Sequence, residues 1–118
     1  MTYSEIAKQL KRNIQIMDNT FSANNLKVLD IACKPCADDD ADFDLYVEVA
    51  SITGNTIPND VCIKINLYDK DDKLYLSENA TIFKEYFTGY DIVEIQCYDS
   101  SHTLDVAKRG RLYVTKNW

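Results

Sequence analysis

From residue 26 onward the chain alternates apolar and polar residues with a period of two. In the clearest stretch Val61, Ile63, Ile65 and Leu67 point one way while Cys62, Lys64, Asn66 and Tyr68 point the other, the pattern of a strand with one buried face. Leu45, Val47 and Val49 stand in the same way against Tyr46, Glu48 and Ala50. Val93, Ile95 and Cys97 oppose Glu94, Gln96 and Tyr98, and Leu112 with Val114 opposes Tyr113 and Thr115. Residues 26–33 and 74–83 bring the set to about six strands. The connections at Gly54-Asn55, Pro58-Asn59-Asp60, Asp69 to Asp72, Gly89 and Gly110 are short and built from turn formers.

The first residues follow a different period. Thr2 and Glu5 have the spacing of a capping box, and Ile6, Leu10, Ile14, Met17 and Phe21 then form one helical stripe. Asn19, Thr20, Asn24 and Asn25 favour caps and turns, so the helix should end near residue 19. The alternative is a strand over Asn13 to Met17, where Ile14 and Ile16 alternate with polar neighbours. The expectation is therefore a mainly β chain folding as one domain over residues 1–118, with a helix in 1–20 and an antiparallel β-sandwich in 26–116. No linker or internal repeat divides it. Only 3 Gly are present and no Gly-rich phosphate loop occurs, so nucleotide binding of that kind has no support.

The stretch from Val61 to Leu76, and within it Ile65-Asn66-Leu67-Tyr68-Asp69, resembles the central hairpin of FxLYD-type domains, which are immunoglobulin-like β-sandwiches of bacterial proteins. Leu67, Tyr68 and Asp69 match the motif; Ile65 stands where its Phe belongs, and Asp72 where a turn Gly is usual. With the flanking strands the resemblance spans roughly residues 45–98. It implies an immunoglobulin-like sandwich with a binding or accessory role, in a family usually exported or membrane-tethered and not known by any catalytic residue.

Composition narrows the function classes. The chain has 118 residues, 46% hydrophobic and 27% charged, enough to bury a core without disulfides or a metal. No apolar run approaches the roughly 20 residues of a membrane helix. The net charge of −6 is localised: Asp38, Asp39, Asp40, Asp42, Asp44 and Glu48 occur with no Lys or Arg among them, and outside this segment the acids match the 13 bases. An acidic chain whose basic cluster is only Lys108, Arg109 and Arg111, which read as a solvated turn, is poorly built to replace counterions on nucleic acid. The N-terminus has no apolar leader region, so the expected location is the cytoplasm, or outside it if a leader precedes this chain. In the cytoplasm Cys33, Cys36, Cys62 and Cys97 are expected as reduced thiols.

The candidate chemistry is sparse. Cys33-Lys34-Pro35-Cys36 has zinc-chelating spacing, but Cys62 and Cys97 are lone residues in separate strands, and Ala37-Asp38-Asp39-Asp40 beside Cys36 disfavours a thiolate. Asp38, Asp40 and Asp42 alternate as in a calcium loop, yet Phe43 and Val49 stand where an EF-hand needs Gly and Glu; a looser site shared with Asp69, Asp71 and Asp72 is the remaining metal reading. His102 follows Asp99-Ser100-Ser101, and neighbours in sequence do not make a triad. Tyr46, Tyr68, Tyr75, Tyr98 and Tyr113 fall on the outer faces of strands, as large amphipathic contact surfaces. The expectation is a non-catalytic protein-interaction module without a cofactor, whose partner docks at Asp38, Asp39, Asp40, Asp42, Asp44, Tyr46 and Tyr68. The alternatives are a small acidic immunity-type protein that neutralises a basic toxin or nuclease, and a metal-binding accessory domain using Cys33 and Cys36 or the Asp38 to Asp44 loop.

Overall fold

Alternation decides which side chains meet in the interior. The computed structural model describes residues 1–100 and 102–116. Its elements are α1 (Tyr3–Arg12), β1 (Ile14–Ile16), α2 (Asp18–Ser22), β2 (Leu26–Pro35), β3 (Phe43–Ser51), β4 (Val61–Tyr68), β5 (Leu74–Ile82), β6 (Tyr90–Cys97), α3 (Thr103–Val106) and β7 (Arg109–Lys116). They form two sheets, ordered β1-β7-β4-β5 and β2-β3-β6. Leu45, Val47 and Val49 of β3, Val61, Ile63, Ile65 and Leu67 of β4, Val93, Ile95 and Cys97 of β6, and Leu112 and Val114 of β7 are all buried in one hydrophobic core. These are the faces that the period of two assigns to the interior. No helix among the described residues is long and apolar enough to cross a membrane.

The N-terminal segment corrects the single-helix expectation for residues 1–20. Thr2 caps α1, its Oγ1 accepting the Glu5 amide at 3.2 Å. The helix nevertheless stops at Arg12, where the Asn13 N–H closes the last turn on Leu10. Ile14 to Ile16 then pair in parallel with Gly110 to Leu112, and the Met17 amide donates to the Leu112 carbonyl at 2.9 Å. A short helix, α2, follows and buries Phe21. Leu10, Ile14 and Phe21 are interior in either reading, so the apolar stripe could not separate them. What decides is strand β7, almost a hundred residues further along the chain, which gives two β-branched side chains a ladder to join.

Sheet order is the second departure. Counted along the chain, an immunoglobulin constant-type sandwich groups the first, second, fifth and fourth strands against the third, sixth and seventh. Here the first joins the seventh, fourth and fifth, and β6 and β7 lie in different sheets. The connection between those two strands contains α3 and is long enough to cross from one sheet to the other, which a hairpin cannot do.

Two local features bear on the surfaces of the molecule. Asn25, at φ 60°, donates through its side chain to the Thr53 and Thr56 carbonyls, both at 2.8 Å, and accepts from the Thr53 amide at 3.1 Å, tying the β3–β4 connection to the start of β2. Glu78 is the register partner of Ile65, which places it half-buried on the core side of β5.

Gly110 sits between Ile14 and Leu67, and a Cβ there would lie 3.1 Å from Leu67 Cδ2 and 3.2 Å from the Asn66 carbonyl oxygen. That carbonyl belongs to a central strand and cannot retreat. Gly110→Ala should therefore lower stability by about 1–3 kcal/mol in urea unfolding. An unchanged midpoint would mean that β1 and β4 do not close on β7 as described.

Candidate functional site

The acidic segment between β2 and β3 is held mostly by its own carboxylates and backbone. Asp40 Oδ1 accepts the Asp42 amide at 2.9 Å, and the Cys36 amide donates to the Asp42 carbonyl at 3.1 Å. Asp42 Oδ1 reaches across the molecule to accept the Asp99 amide at 3.0 Å and the Thr103 hydroxyl at 3.2 Å. The Leu104 amide donates to the Ala41 carbonyl at 2.8 Å, and both of these side chains are buried. Asp42 is thus a fastener between the acidic loop and the β6–β7 connection, and not part of a free charged surface. Asp38 and Asp39 are exposed.

Acids distant in sequence gather at the same end. The Lys108 amide donates to the Tyr68 carbonyl at 2.8 Å, which sets the β4–β5 turn beside α3, and the Tyr3 hydroxyl donates to Asp105 at 3.0 Å. Within the turn Asp69 Oδ1 accepts the Asp71 and Lys73 amides at 2.9 and 3.0 Å. Asp72 occupies the left-handed region at φ 60°, where a turn Gly would be strain-free, and its carboxylate pairs with Arg109 Nε at 2.6 Å. Leu67 is buried, Tyr68 faces outward and Asp69 ties the turn, so each motif residue has a role in the hairpin itself.

Tyr46 and Tyr68 do not share a surface. Tyr68 lies on the outer face of the four-stranded sheet, its ring covered by the Arg109 guanidinium at 4.2 Å and by Arg111 at 5.5 Å. The basic cluster is accordingly the start of strand β7 stacked on a tyrosine, not a solvated turn. Tyr46 lies on the outer face of the other sheet, with Lys34 Nζ 5.6 Å from its ring centre.

Around Tyr46 the three-stranded sheet presents a mixed face. Register places Glu94 opposite Tyr46, Ile92 opposite Glu48 and Gln96 opposite Asp44. Ile92 is 53%, Tyr90 50% and Tyr98 41% exposed. The Tyr98 hydroxyl donates to Asp44 at 2.6 Å, and the Tyr90 hydroxyl to Glu48 at 2.5 Å. A hollow of about 150 Å³ lies between Asp30, Ala32, Tyr46, Glu48 and Ile92. Ile92 and Tyr90 lie outside the expected site, although the parity that sends Val93 and Ile95 inward also sends them out.

The cysteines are four free thiols in unlike settings. Burial pushes the half-buried Cys33 thiol up to about 12 and raises the fully buried Cys97 as well. Cys36 is exposed; its thiol is raised by desolvation and by the Asp44, Asp40 and Asp42 charges, and it lies 3.9 Å from Asp44 Oδ2. Cys62 is on the outer face of β4, 3.5 Å from Thr81 Oγ1. Among the described residues no three His, Cys, Asp or Glu side chains are grouped so as to hold a metal ion. Asp99 accepts the Tyr75 hydroxyl at 2.5 Å, while Ser101, between it and His102, lies outside the described residues.

No protein-family model and no curated protein matches the chain. Among solved structures, the crystal structure of Campylobacter jejuni cj0090 aligns over 89% of this chain and 98% of that one, at 16% identity and a TM-score of 0.48. This is a distant likeness, and no role is transferred from it.

The bonds of Asp42 and Tyr75 each have a measurable consequence. Asp42→Ala should cost about 1–3 kcal/mol, because it strands a backbone amide and a buried threonine hydroxyl, whereas Asp38→Asn and Asp39→Asn should leave the urea midpoint unchanged. Equal effects from all three would return Asp42 to the solvated surface. Desolvation, and then the bond to Asp99, raise Tyr75 from its ordinary 10.0 to about 12. Its neutral form is favoured by folding, so its contribution is complete below pH 10 and lost as the pH rises through about 12. Melting temperature should fall across that window, and less steeply in Tyr75→Phe.

Proposed function

We propose that this chain is a non-catalytic protein-interaction module that receives its partner on the outer face of β2, β3 and β6, next to the acidic end. The observation that carries this reading is Ile92 and Tyr90, half-exposed on a sheet face with Glu48 opposite Ile92 and hydrogen-bonded to Tyr90, and Glu94 the next outward residue on β6. A large apolar side chain left in water beside a small hollow is the kind of anchor that interfaces bury, and the surrounding carboxylates select a partner with basic side chains around its own apolar contact. The expected anchor, Tyr46 or Tyr68, thereby becomes Tyr46 with Ile92 and Tyr90, since Tyr68 faces away under two arginines.

The similarity of Leu67-Tyr68-Asp69 to FxLYD-type hairpins agrees with a binding role, and an immunoglobulin-like relationship would rest on the two-sheet architecture rather than on strand order. A second reading, the neutralising partner of a basic toxin or nuclease, is favoured by exposed Asp38 and Asp39 lying on the same end as the Asp69 to Asp72 turn. A cytoplasmic location with reduced thiols belongs to both readings. In either case the charges act mainly on encounter, over a reach of about 8 Å at physiological salt, and the apolar contact on residence.

The test is association kinetics with a partner retained from the native organism. Ile92→Asp should speed dissociation about tenfold or more; facing Glu48 across the strand pair it should also lower the melting temperature slightly, without unfolding the chain. Asp38→Asn with Asp39→Asn should slow association and flatten its salt dependence. A partner that binds the Ile92→Asp protein as tightly as the natural chain would remove this face from the proposal.

A further inference from the structure

The two outer faces of the molecule carry opposite charge. On the four-stranded sheet none of the outward positions of β4, β5 and β7 is an acid, and three of them are Lys64, Arg109 and Arg111. Arg109 is paired with Asp72 from the turn, whereas Lys64 and Arg111 have no acidic partner among the described residues. This face has an apolar side chain of its own. Leu74, 60% exposed, is the register partner of Tyr68, on whose ring Arg109 and Arg111 both lie. On the three-stranded sheet β3 and β6 bring Asp44, Glu48 and Glu94 outward with Ile92 and Tyr90, and the outward bases, Lys27 and Lys34, are confined to β2.

We infer that the partner of the β2-β3-β6 face is a second copy of this chain, which docks the outer face of its own four-stranded sheet there; the inference rests on the binding role proposed above. That role calls for basic side chains around an apolar contact, and Leu74 and Tyr68 with Arg109 and Arg111 meet the description. The spacing of the charges agrees with it. Arg111 is two residues before Tyr113, the register partner of Lys64, and Glu48 is two residues beyond Tyr46, the register partner of Glu94. Both pairs are diagonal neighbours on antiparallel strands, about 7–8 Å apart, so two cations can meet two carboxylates at one spacing. Repulsion from the net charge of −6 is screened beyond about 8 Å at physiological ionic strength, which leaves the facing charges to decide. Because unlike surfaces meet, the contact is head-to-tail, and each copy added leaves a face of each kind open for the next. Strands β4, β6 and β7 are each 8 residues long. At about 3.4 Å per residue and about 4.8 Å between strands, three such strands make a face roughly 27 Å by 14 Å, the size of a weak, reversible contact.

The test is sedimentation velocity of the full chain at physiological salt, from micromolar to millimolar concentration. The natural chain should pass from monomer to dimer and larger species as concentration rises. Lys64→Glu with Arg111→Glu removes one face and Ile92→Asp spoils the other, and each variant alone should need at least about tenfold more protein to associate. Amide spectra will report that both remain folded, all three side chains being on outward positions. Mixed in equal amounts, the two variants should recover a 1:1 dimer and nothing larger, because each supplies the face that the other lacks. A chain that stays monomeric at the highest concentration, or a mixture no more associated than its components, overturns the inference. So does a Lys64→Glu, Arg111→Glu protein that associates like the natural chain, the result expected if copies met through like faces or along β5. Failure of the wider reading is a different result, in which a partner from the native organism binds Ile92→Asp unchanged. Failure of this inference alone leaves that partner dependent on Ile92 while copies of the chain ignore one another.

Discussion

The rest of the molecule depends on the register between β4 and its neighbours. β4 is held on both sides by β5 and β7, and Val61, Ile63, Ile65 and Leu67 are each removed from solvent against Leu45, Val47 and Val49 of the facing sheet. Each such side chain contributes about 1.5–3 kcal/mol, whereas a slip of one residue would carry Cys62, Lys64, Asn66 and Tyr68 inward in their place. With the register fixed, the outward face of every paired strand is fixed too. Arg109 and Arg111 can then stack on Tyr68, and the Asp69 turn is delivered beside α3.

What the sequence shows well is whatever two nearby residues decide. The strands, their inward faces and the Thr2 cap all derive from spacings of two or three residues. What it hides are pairings between distant segments. Ile14 and Ile16 could continue a helix as easily as start a strand until β7 supplies a ladder, and the stripe through Leu10 and Phe21 suits both outcomes. Asp42 reads as one acid in a run, because its partners, the Asp99 amide and Thr103, come from the opposite end of the chain. Tyr46 and Tyr68 have the same parity in their strands, and only the assignment of those strands to different sheets separates them. Ile92 is the exception, an outward residue that local parity is sufficient to find.

Apart from Asp72 with Arg109 and Asp30 with Lys11, the carboxylates that the structure anchors among the described residues are held by neutral donors. Tyr3, Tyr75, Tyr90 and Tyr98 donate hydroxyls to Asp105, Asp99, Glu48 and Asp44, and backbone amides satisfy Asp40, Asp42 and Asp69. A hydroxyl or an amide holds a carboxylate in place without cancelling its charge, as a lysine would. The acidic end is therefore ordered and still negative.

Glu78 has a meaning for how the protein behaves in a crowded solution. It sits half-buried on the interior side of β5, an outermost strand whose backbone on one side has no neighbour within its sheet. Such a strand invites another chain to extend the sheet, the first step towards fibrils and insoluble aggregates. A newcomer along β5 would shut the Glu78 carboxylate away from water among hydrocarbon, and an unpaired charge in that position costs several kcal/mol. An inward-turned acid thus disfavours the addition of a further strand along β5.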